Sequence, residues 1–510
     1  MLSSLGEVLE QGAANWGSKT ALITDEKQLS YAELDELSGR FASGLKAYGV
    51  QIGDRVTLYA SNSWQWVVCY YGALKAGAVI NPVNMMLTHA ELEFVLRDCG
   101  SRVLLTSADK AAQLPNIHEQ SGIEHMIVFG GDAPKYSIPF NDIIDKHQVS
   151  NPVFCDPLSL STIAYTSGTT GHPKGAMLSH RSVILSTEMT ALMYVRTEND
   201  VVVTALPCPH VYGNVVMNGV LMHGGTLVLH STFDACKILD SIKEHSATML
   251  EGVPTMYFYI LGDPGFKAAN LSSLTRCSVG GQAMPVSKHQ EIEKLFGCPL
   301  LELWGMTEMA GPGTTHPFYG KNRHGSIGIP VPYIKLRISD SASPSKTIPP
   351  GEVGELLAAG PHIMMGYYGN EQATKDTLTS DGWLHTGDLA YCDSEGFFYI
   401  VDRKKDMILT AGYNVYPAEI ERVISAHPAV AMVGVGAVKD ELKGELAKAY
   451  VVLKAGATIT EKDLITFCRL ELASYKVPRA VKFVANLPKT SSGKIMRRAL
   501  ASLDDMVGEA

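Results

Sequence analysis

The sequence has no Cys-x-x-Cys pair, and its nine cysteines are scattered along 510 residues. Its histidines form no cluster at metal-ligand spacing, so the spacing alone indicates no structural metal site. Scattered cysteines are typical of reduced packing residues in a cytosolic protein. The first residues also lack the basic patch and apolar core of a signal peptide. We therefore expect a cytoplasmic protein.

Long apolar runs and a strong charge of either sign are also missing. The most apolar segment, residues 64–80, is interrupted by Gln65, Gly72, Lys75 and Gly77, which predicts a buried helix and turn rather than a transmembrane segment. The formal net charge of −9 provides no long-range attraction for nucleic acid or anionic lipid. We expect no nucleic-acid partner, and any anionic ligand must be held by local positive groups.

What the sequence does contain is a run of glycine and hydroxyl residues around one lysine, between residues 165 and 175. Glycine lets backbone N–H groups approach an anion, Ser and Thr add donors, and lysine adds a compact positive charge, so the run predicts a polyphosphate-binding loop. A P-loop NTPase is excluded, because Lys174 is followed by Gly175 instead of Ser or Thr. An apolar strand before the loop and a helix start at residues 179–182 predict the order strand, loop and helix, which suits phosphate binding.

Size and pattern predict an α/β protein with more than one domain, because 510 residues exceed what one core usually supports. From about residue 30 to 330, helical patterns alternate with short apolar runs, which favours layers with largely parallel strands. Strands predominate after residue 330, and the last hundred residues indicate a small α+β unit. The charged cluster 402–406 suits a boundary between domains 1–402 and 403–510. Predicted helices include Tyr31–Tyr48, Ala90–Cys99, Ala235–His245, Pro417–His427 and Glu461–Ala473.

Five more motifs accompany the phosphate loop, and all six lie in the order found in the adenylate-forming superfamily. They are Trp304–Glu308, Gly382–Asp388, Asp402–Asp406, Gly412–Glu421 and Pro488–Lys494. The sequence resembles this superfamily, which includes acyl- and aryl-CoA ligases, peptide-synthetase adenylation domains and firefly luciferase, over nearly its whole length. The resemblance implies a large N-terminal domain of α/β layers with parallel sheets plus a β-rich subdomain, and a small mobile α+β C-terminal domain.

The resemblance implies an acid–thiol ligase. A carboxylate would attack the α-phosphate of ATP, pyrophosphate would leave, and the thiol of CoA would then displace AMP from acyl-AMP. Positioning and charge neutralisation should dominate the first step. ATP and CoA would be co-substrates, with Mg²⁺ as the cofactor. A carrier-protein phosphopantetheine as acceptor, a non-catalytic acyl- or nucleotide-binding module, a luciferase-like oxygenase and a homodimer are left open.

The resemblance also assigns nucleotide-binding roles residue by residue. Thr307 would contact the α-phosphate, Glu308 would hold Mg²⁺, and Lys494 would neutralise charge in the adenylation transition state. Trp304 stands where the family more often has tyrosine, and an indole can also stack on adenine. The ATP phosphates would be held by Thr166, Ser167, Gly168, Thr169, Thr170 and Lys174. The adenine and ribose would be held by Gly281, Gln282, Ala283, Trp304, Asp388 and Arg403.

On the acyl side, His210 would be the gate between the carboxylate and thiol paths, Lys405 the hinge, and Gly412 part of the CoA tunnel. The pocket would be lined by Tyr212, Gly213, Asn214, Val279, Gly280, Met306 and Gly311. No aspartate stands near Tyr212 to meet an amino group, and these segments lack arginine, although Arg276 is close in sequence. We therefore expect a neutral fatty or aryl acid, for which the three pocket glycines would leave room.

Overall fold

The computed structural model describes residues 2–166, 173–340, 343–410, 413–440, 444–490 and 494–504. Within these ranges the chain forms two large, mostly parallel sheets, one antiparallel sheet and a C-terminal sheet. Helices pack between and around the sheets, so the mixed α/β class predicted from the alternating pattern is confirmed.

The nine-stranded sheet, counted over the described residues, has six adjacent parallel strands at its centre. Two antiparallel strands extend it at one edge and one at the other. In spatial order its strands are Ile329–Pro330, Gly311–Thr315, Leu300–Met306, Arg276–Gly280, Met249–Gly252, Val201–Thr204, Thr226–Leu229, Thr20–Ile23 and Gln28–Ser30.

The second large sheet has eight strands in the described part of the chain. In spatial order they are Gly366–Tyr367, Lys174–Ser179, Leu160–Thr166, Val79–Pro82, Arg55–Tyr59, Ser101–Ser107, His125–Phe129 and Ile138–Pro139. Six of them are parallel, and the first two are antiparallel to their neighbours.

The predicted phosphate loop joins two antiparallel strands of this second sheet, Leu160–Thr166 and Lys174–Ser179. Residues 167–172 of the loop lie outside the described residues. The helix that follows begins only at His180, with Ser179 as its N-cap. The predicted strand before the loop and the predicted helix start at residues 179–182 are confirmed, but the predicted order lacks the strand Lys174–Ser179, which pairs with the preceding strand before the helix starts. Lys174 is held by a sheet and not by a helix N-terminus.

A group of helices lies between the two large sheets and contacts strands of both. Its members are Val8–Trp16, Tyr31–Ala47, Trp64–Lys75, His180–Tyr194 and Val211–Met222. The helix Trp64–Lys75 is buried along almost its whole length, as the interrupted apolar segment predicts, and its Lys75 pairs with Asp35. In the described part of the chain, no helix combines the length and apolarity needed to cross a membrane.

The remaining helices cover the outer faces of the sheets or belong to the C-terminal region. They are His89–Asp98, Ala108–Ala111, Ile117–Ser121, Phe140–Lys146, Ala235–Glu244, Pro254–Gly262, Val286–Phe296, Glu371–Thr377, Pro417–Ser425 and Glu461–Glu471. All five helices predicted from periodicity are confirmed, with ends that differ by one or two residues. Capping side chains at Ser30 and Thr460 fix two of the starts.

After residue 330 the chain turns into two smaller sheets. The antiparallel sheet contains, in spatial order, Ser343–Thr347, Lys335–Asp340, Gly354–Ala359, Leu384–Cys392 and Phe398–Arg403. The C-terminal sheet contains Tyr413–Val415, Ile408–Thr410, Gly444–Leu453, Val430–Asp440 and Ala480–Phe483. The C-terminal sheet and its two helices enclose an apolar core of their own, which begins at Ile408. The fold thus has a large N-terminal and a smaller C-terminal domain, and the boundary at 402/403 stays a prediction.

Candidate active site

Asp388 lies where the antiparallel sheet meets the edge of the nine-stranded sheet, and two predicted site residues contact it. It is opposite Arg403 in the strand ladder, and the Arg403 Nε lies 2.6 Å from its Oδ1. The indole N–H of Trp304 donates to its Oδ2 at 2.8 Å. Burial raises the pKa of Asp388, although Arg403 and the indole oppose that shift. The carboxylate is therefore a buried acceptor held from two sides.

Lys494, from the C-terminal domain, acts electrostatically on this carboxylate. Its backbone closes a turn, in which its N–H donates to Thr490 Oγ1 at 3.1 Å and the Thr490 N–H donates to its carbonyl at 2.8 Å. Burial and the Arg403 charge together lower the pKa of Lys494 to about 8, although Asp388 opposes the shift. A buried ammonium with a lowered pKa is typical of a functional group and uncommon for a surface lysine.

The adenine segment predicted at residues 281–283 lies against Lys494. A Cβ on Gly281 would lie 2.8 Å from Lys494 Cε, and the φ of +87° at Gly281 also disfavours any side chain. The Ile495 N–H donates to Gln282 Oε1 at 3.4 Å. Gly281 therefore lets the C-terminal lysine approach the N-terminal domain closely.

His210 is the N-cap of the helix Val211–Met222, and its Nδ1 accepts the Tyr212 N–H at 3.2 Å. Burial, with a smaller contribution from the Lys494 charge, lowers its pKa to about 3. The imidazole is therefore neutral near pH 7. A neutral ring with so low a pKa is a weak base. Its position as a helix cap therefore suits the predicted gate role better than the role of a general base.

Glu308 sits in the single 3-10 turn Thr307–Met309, directly after the strand that carries Trp304. The hydroxyl of Tyr367 donates to its Oε1 at 2.7 Å, and Lys174 Nζ lies 5.3 Å from the centre of the Tyr367 ring. Glu308 is 7% exposed. Tyr367 thus links the predicted metal carboxylate to the predicted phosphate lysine.

Tyr367 is a residue that sequence reasoning missed. Its sequence signal is weak, since a tyrosine between Gly366 and Tyr368 carries no chemistry by itself. Thr166, paired in register with Lys174, donates from its Oγ1 to the Lys174 carbonyl at 3.4 Å. The predicted loop residues Ser167, Gly168, Thr169 and Thr170, and the tunnel residue Gly412, lie outside the described residues.

A chain of buried polar groups starts at Tyr212, two residues after His210. Its hydroxyl lies 2.7 Å from Ser278 Oγ, which donates to Glu251 Oε2 at 2.8 Å, and Glu251 pairs with Arg196 at 2.5 Å. Burial raises the pKa of Tyr212, so its hydroxyl stays protonated. Arg276, the cation noted near this region in the sequence, pairs with Asp200 at 2.7 Å. Both arginines are thus already paired with carboxylates.

The three glycines predicted to open the acyl pocket have neighbours in the space that a Cβ would need. A Cβ on Gly213 would lie 2.3 Å from the Pro207 carbonyl oxygen, and one on Gly280 would lie 2.4 Å from Leu303 Cδ1. One on Gly311 would lie 2.6 Å from Ser186 Oγ. These glycines allow close packing of the protein against itself, and their lining of an acyl pocket stays a prediction.

Three other predicted pocket residues lie near these glycines in the chain. Asn214 Oδ1 accepts from Asn218 Nδ2 at 2.9 Å, and Val279 is fully buried. Met306 ends the strand that carries Trp304 and is half-buried. Their contact with an acyl group stays a prediction.

The predicted hinge is bridged by an ion cluster around Arg497. Its guanidinium lies 2.7 Å from Asp402, 3.3 Å from Asp406 and 2.7 Å from Glu421. Lys405 lies in the turn between Asp402 and the C-terminal sheet, and burial lowers its pKa. Sequence reasoning missed Arg497, which reads as one more basic residue after Lys494.

Comparison with known proteins extends over the whole chain. Residues 9–368 match the AMP-binding enzyme family, and residues 419–494 match the AMP-binding enzyme C-terminal domain. A long-chain-fatty-acid–CoA ligase of Bacillus subtilis is 37% identical over 98% of this chain and 94% of its own length. A feruloyl-CoA synthase of an Amycolatopsis species is 35% identical over 96% of this chain and 98% of its own length.

Solved structures agree with these sequence matches. The crystal structure of an anthranilate CoA ligase in complex with anthranoyl-AMP superposes with a TM-score of 0.92 at 28% identity, and covers 99% of this chain and 97% of its own. The sequence matches and the shared fold together give one conclusion. This chain belongs to the family of AMP-binding enzymes and is an AMP-forming acyl-CoA ligase.

Proposed function

We propose that the adenylation site lies around Asp388, Lys494 and His210, and that a neutral carboxylic acid is activated there. The observation that carries this proposal is the convergence of three distant segments. The Lys494 charge acts on the pKa values of both His210 and Asp388, which belong to different segments of the chain. A cation that acts on both a ribose-type acceptor and a neutral gate suits an acid–nucleotide reaction.

In the first half-reaction, the Asp388 carboxylate would accept hydrogen bonds from the ribose hydroxyls, with Arg403 beside it. Lys494 would lie at the bond-forming carboxylate and α-phosphate oxygens, where it would stabilise the negative charge that builds up in the transition state. Thr307 would donate to an α-phosphate oxygen. The carboxylate oxygen attacks phosphorus, the bond to pyrophosphate breaks, and acyl-AMP forms.

The phosphate side would be held by Lys174 and Thr166 with the loop residues 167–170. The buried carboxylate of Glu308, oriented by Tyr367, fits Mg²⁺, a hard cation that prefers oxygen ligands. When bound, Mg²⁺ would neutralise phosphate charge. Lys174, whose Nζ lies 5.3 Å from the centre of the Tyr367 ring, would bind the departing pyrophosphate.

In the second half-reaction, the CoA thiol would attack the acyl carbonyl and expel AMP. We propose that His210 separates the thiol path from the carboxylate path, and that Gly412 lies along the thiol path. The C-terminal domain would turn about Lys405 between the two steps, removing Lys494 from the carbonyl. His210 need not act as a base, since a free thiol ionises near neutral pH.

The pairing of both buried arginines supports a neutral acid. A second carboxylate would need a free cation, whereas Arg196 and Arg276 are already bound to Glu251 and Asp200. Pyrophosphate and AMP release should be measured over fatty, aryl and dicarboxylic acids, with and without CoA. We expect turnover with one neutral class only. Equal turnover of dicarboxylic acids would overturn the assignment.

The role of Lys494 is tested by separating the two half-reactions. We expect Lys494→Ala to slow acyl-AMP formation by about 10²–10³-fold, while thioester formation from pre-made acyl-AMP stays within about threefold. Lys476→Ala is the matched control, because Lys476 is a half-buried lysine of the same domain paired with Glu419. A similar loss in both half-reactions would contradict the role.

Three further proposals rest on the sequence resemblance. We propose Mg²⁺ as the physiological cation, a cytoplasmic location, and a homodimer as the assembly to test first. Analytical ultracentrifugation of the purified chain would test the last of these.

A further inference from the structure

The helix Val286–Phe296 carries a histidine and a glutamate one turn apart, at positions 289 and 293. Residues four apart lie on the same helix face. His324, from the segment between two strands of the neighbouring sheet, reaches this face, and its Nε2 lies 2.8 Å from Glu293 Oε2. One ligand atom from each of the three residues lies within 4.8 Å of the other two. The sequence spacing gave no sign of this group, because His324 follows 31 positions after Glu293.

His289 is fully buried, and within the described residues neither ring nitrogen has a hydrogen-bond partner. Its Nε2 lies 3.7 Å from Glu293 Oε1, and its Nδ1 lies 3.8 Å from Glu302 Oε2, an oxygen that also lacks a partner there. A buried polar group without a partner is destabilising, so this arrangement calls for a ligand.

We propose that His289, Glu293 and His324 bind one Zn²⁺ ion. Two imidazoles and one carboxylate favour zinc over Mg²⁺, which prefers oxygen ligands only. Metal–ligand bonds of about 2.0–2.1 Å set neighbouring tetrahedral ligands roughly 3.3 Å apart. Here the ligand atoms of Glu293 and His324 are 2.8 Å apart, and all three ligand atoms lie within 4.8 Å of one another. A water molecule would complete the coordination, since Glu293 and His324 are partly exposed.

The groups around the three ligands support this assignment. The Leu300 N–H and the Asn322 amide donate to Glu293 Oε1 at 3.0 and 2.7 Å, which leaves Oε2 for the metal. With zinc on its Nε2, His289 would turn its Nδ1–H towards Glu302, the carboxylate–histidine–zinc arrangement of many sites. Glu302 Oε1 in turn accepts the Met284 N–H at 3.1 Å.

A proton is the competing occupant. Burial opposes protonation of His289, but the neighbouring Glu293 and Glu302 raise its pKa to about 9, so a charged imidazole between two carboxylates would also satisfy the group. The test must therefore detect the metal itself. Cys236 is an exposed thiol that could also bind zinc, so every protein in the test carries Cys236→Ser.

The untagged full chain, stripped with a chelator and then desalted, is titrated with ZnCl₂ in a buffer that contains MgCl₂. We expect one zinc per chain by elemental analysis and a rise in the thermal midpoint of roughly 2–4 °C at a hundredfold excess over Kd. Titration with Co²⁺ should give the visible absorption bands of a tetrahedral site. Absence of both bound zinc and these bands would overturn the proposal, without any variant being needed.

Variants locate the site. Glu293→Gln and His324→Gln should each weaken zinc binding at least tenfold and reduce the thermal shift to about half or less at the same zinc concentration. His223→Gln is the matched control, because His223 has the same exposed side-chain fraction as His324, 24%, and a single carboxylate, Glu188, at 3.3 Å. Tight zinc binding that survives both Glu293→Gln and His324→Gln would contradict the assignment.

Discussion

The proposed nucleotide side and the proposed acyl side of the site are built in different ways. On the nucleotide side, charged atoms from distant segments meet: Asp388 contacts Arg403 and Trp304, and Lys494 lies close by. On the acyl side, glycines and apolar residues pack against the protein's own atoms, as Gly280 does against Leu303. The proposed function of the first side depends on the charge and hydrogen-bonding groups of particular residues, whereas that of the second side depends on the shape of the packing.

The difference shows for which site residues a family resemblance can predict a role. Ribose and phosphate are the same in every AMP-forming ligase, so their partners must be particular charged residues. Acyl groups differ between relatives named for long-chain fatty acids and for ferulate, at similar identities to this chain. Changes on the nucleotide side should therefore alter catalysis, whereas changes at the pocket glycines should first alter stability.

After the loss expected for Lys494→Ala, the largest effect should come from Asp388→Asn. The substitution keeps the shape but removes the charge, and so weakens the acceptor for the ribose and leaves Arg403 unpaired. We expect KM for ATP to rise about 10–100-fold, the worth of a hydrogen bond to a charged group. Steady-state kinetics over a range of ATP concentrations measures it. The control is Asp381→Asn, because Asp381 is an exposed aspartate directly before the same motif, and an equal effect there would break the comparison.

The pH dependence of acyl-AMP formation should follow Lys494. With a pKa of about 8, the lysine is charged below pH 8 and neutral above it, so kcat/KM should fall about tenfold per unit as pH rises past 8. His210, with its pKa lowered to about 3, should add no limb near pH 6. Arginine stays charged above pH 8, so the residual kcat/KM of Lys494→Arg should not fall as pH rises past 8. A fall that persists in this variant would belong to another titrating group.

On the acyl side, Gly280→Ala should destabilise the protein by about 1–3 kcal/mol, because its Cβ would overlap Leu303. Leu303→Ala alone should also destabilise, but the double substitution should cost less than the sum. Thermal midpoints of the three variants give this result. An unchanged midpoint for Gly280→Ala together with an altered acid preference would show that Gly280 faces the substrate after all.

The smallest effect should come from Tyr259→Phe. The Tyr259 hydroxyl accepts from Lys489 Nζ at 2.6 Å and thus joins a helix of the large domain to the segment that carries Lys494. An exposed contact of this kind is worth about 0.2–1 kcal/mol, so acyl-AMP formation should slow at most about fivefold. Thioester formation from pre-made acyl-AMP should not change. Slowing of both steps would show that the contact stabilises the fold in general.

The sequence predicted the helices and the α/β class because apolar periodicity is a local signal, as in Tyr31–Ala47. It did not predict the strand Lys174–Ser179, which forms only because residues 160–166 offer a partner. The same limit explains Tyr367 and Arg497. Each acts through contacts with residues 59 and 76 or more positions away, respectively, and no local pattern carries such contacts.

The hydrogen bond between Trp304 and Asp388 gives the protein an optical signal of its own. The chain has five tryptophans, and this one donates its N–H to the carboxylate proposed for the ribose. A nucleotide that takes up that carboxylate would alter the indole's surroundings and therefore its fluorescence. Trp304→Phe would remove the change and leave the other four emitters as background. Occupancy of the site could then be followed in stopped-flow time courses without labels or coupled enzymes.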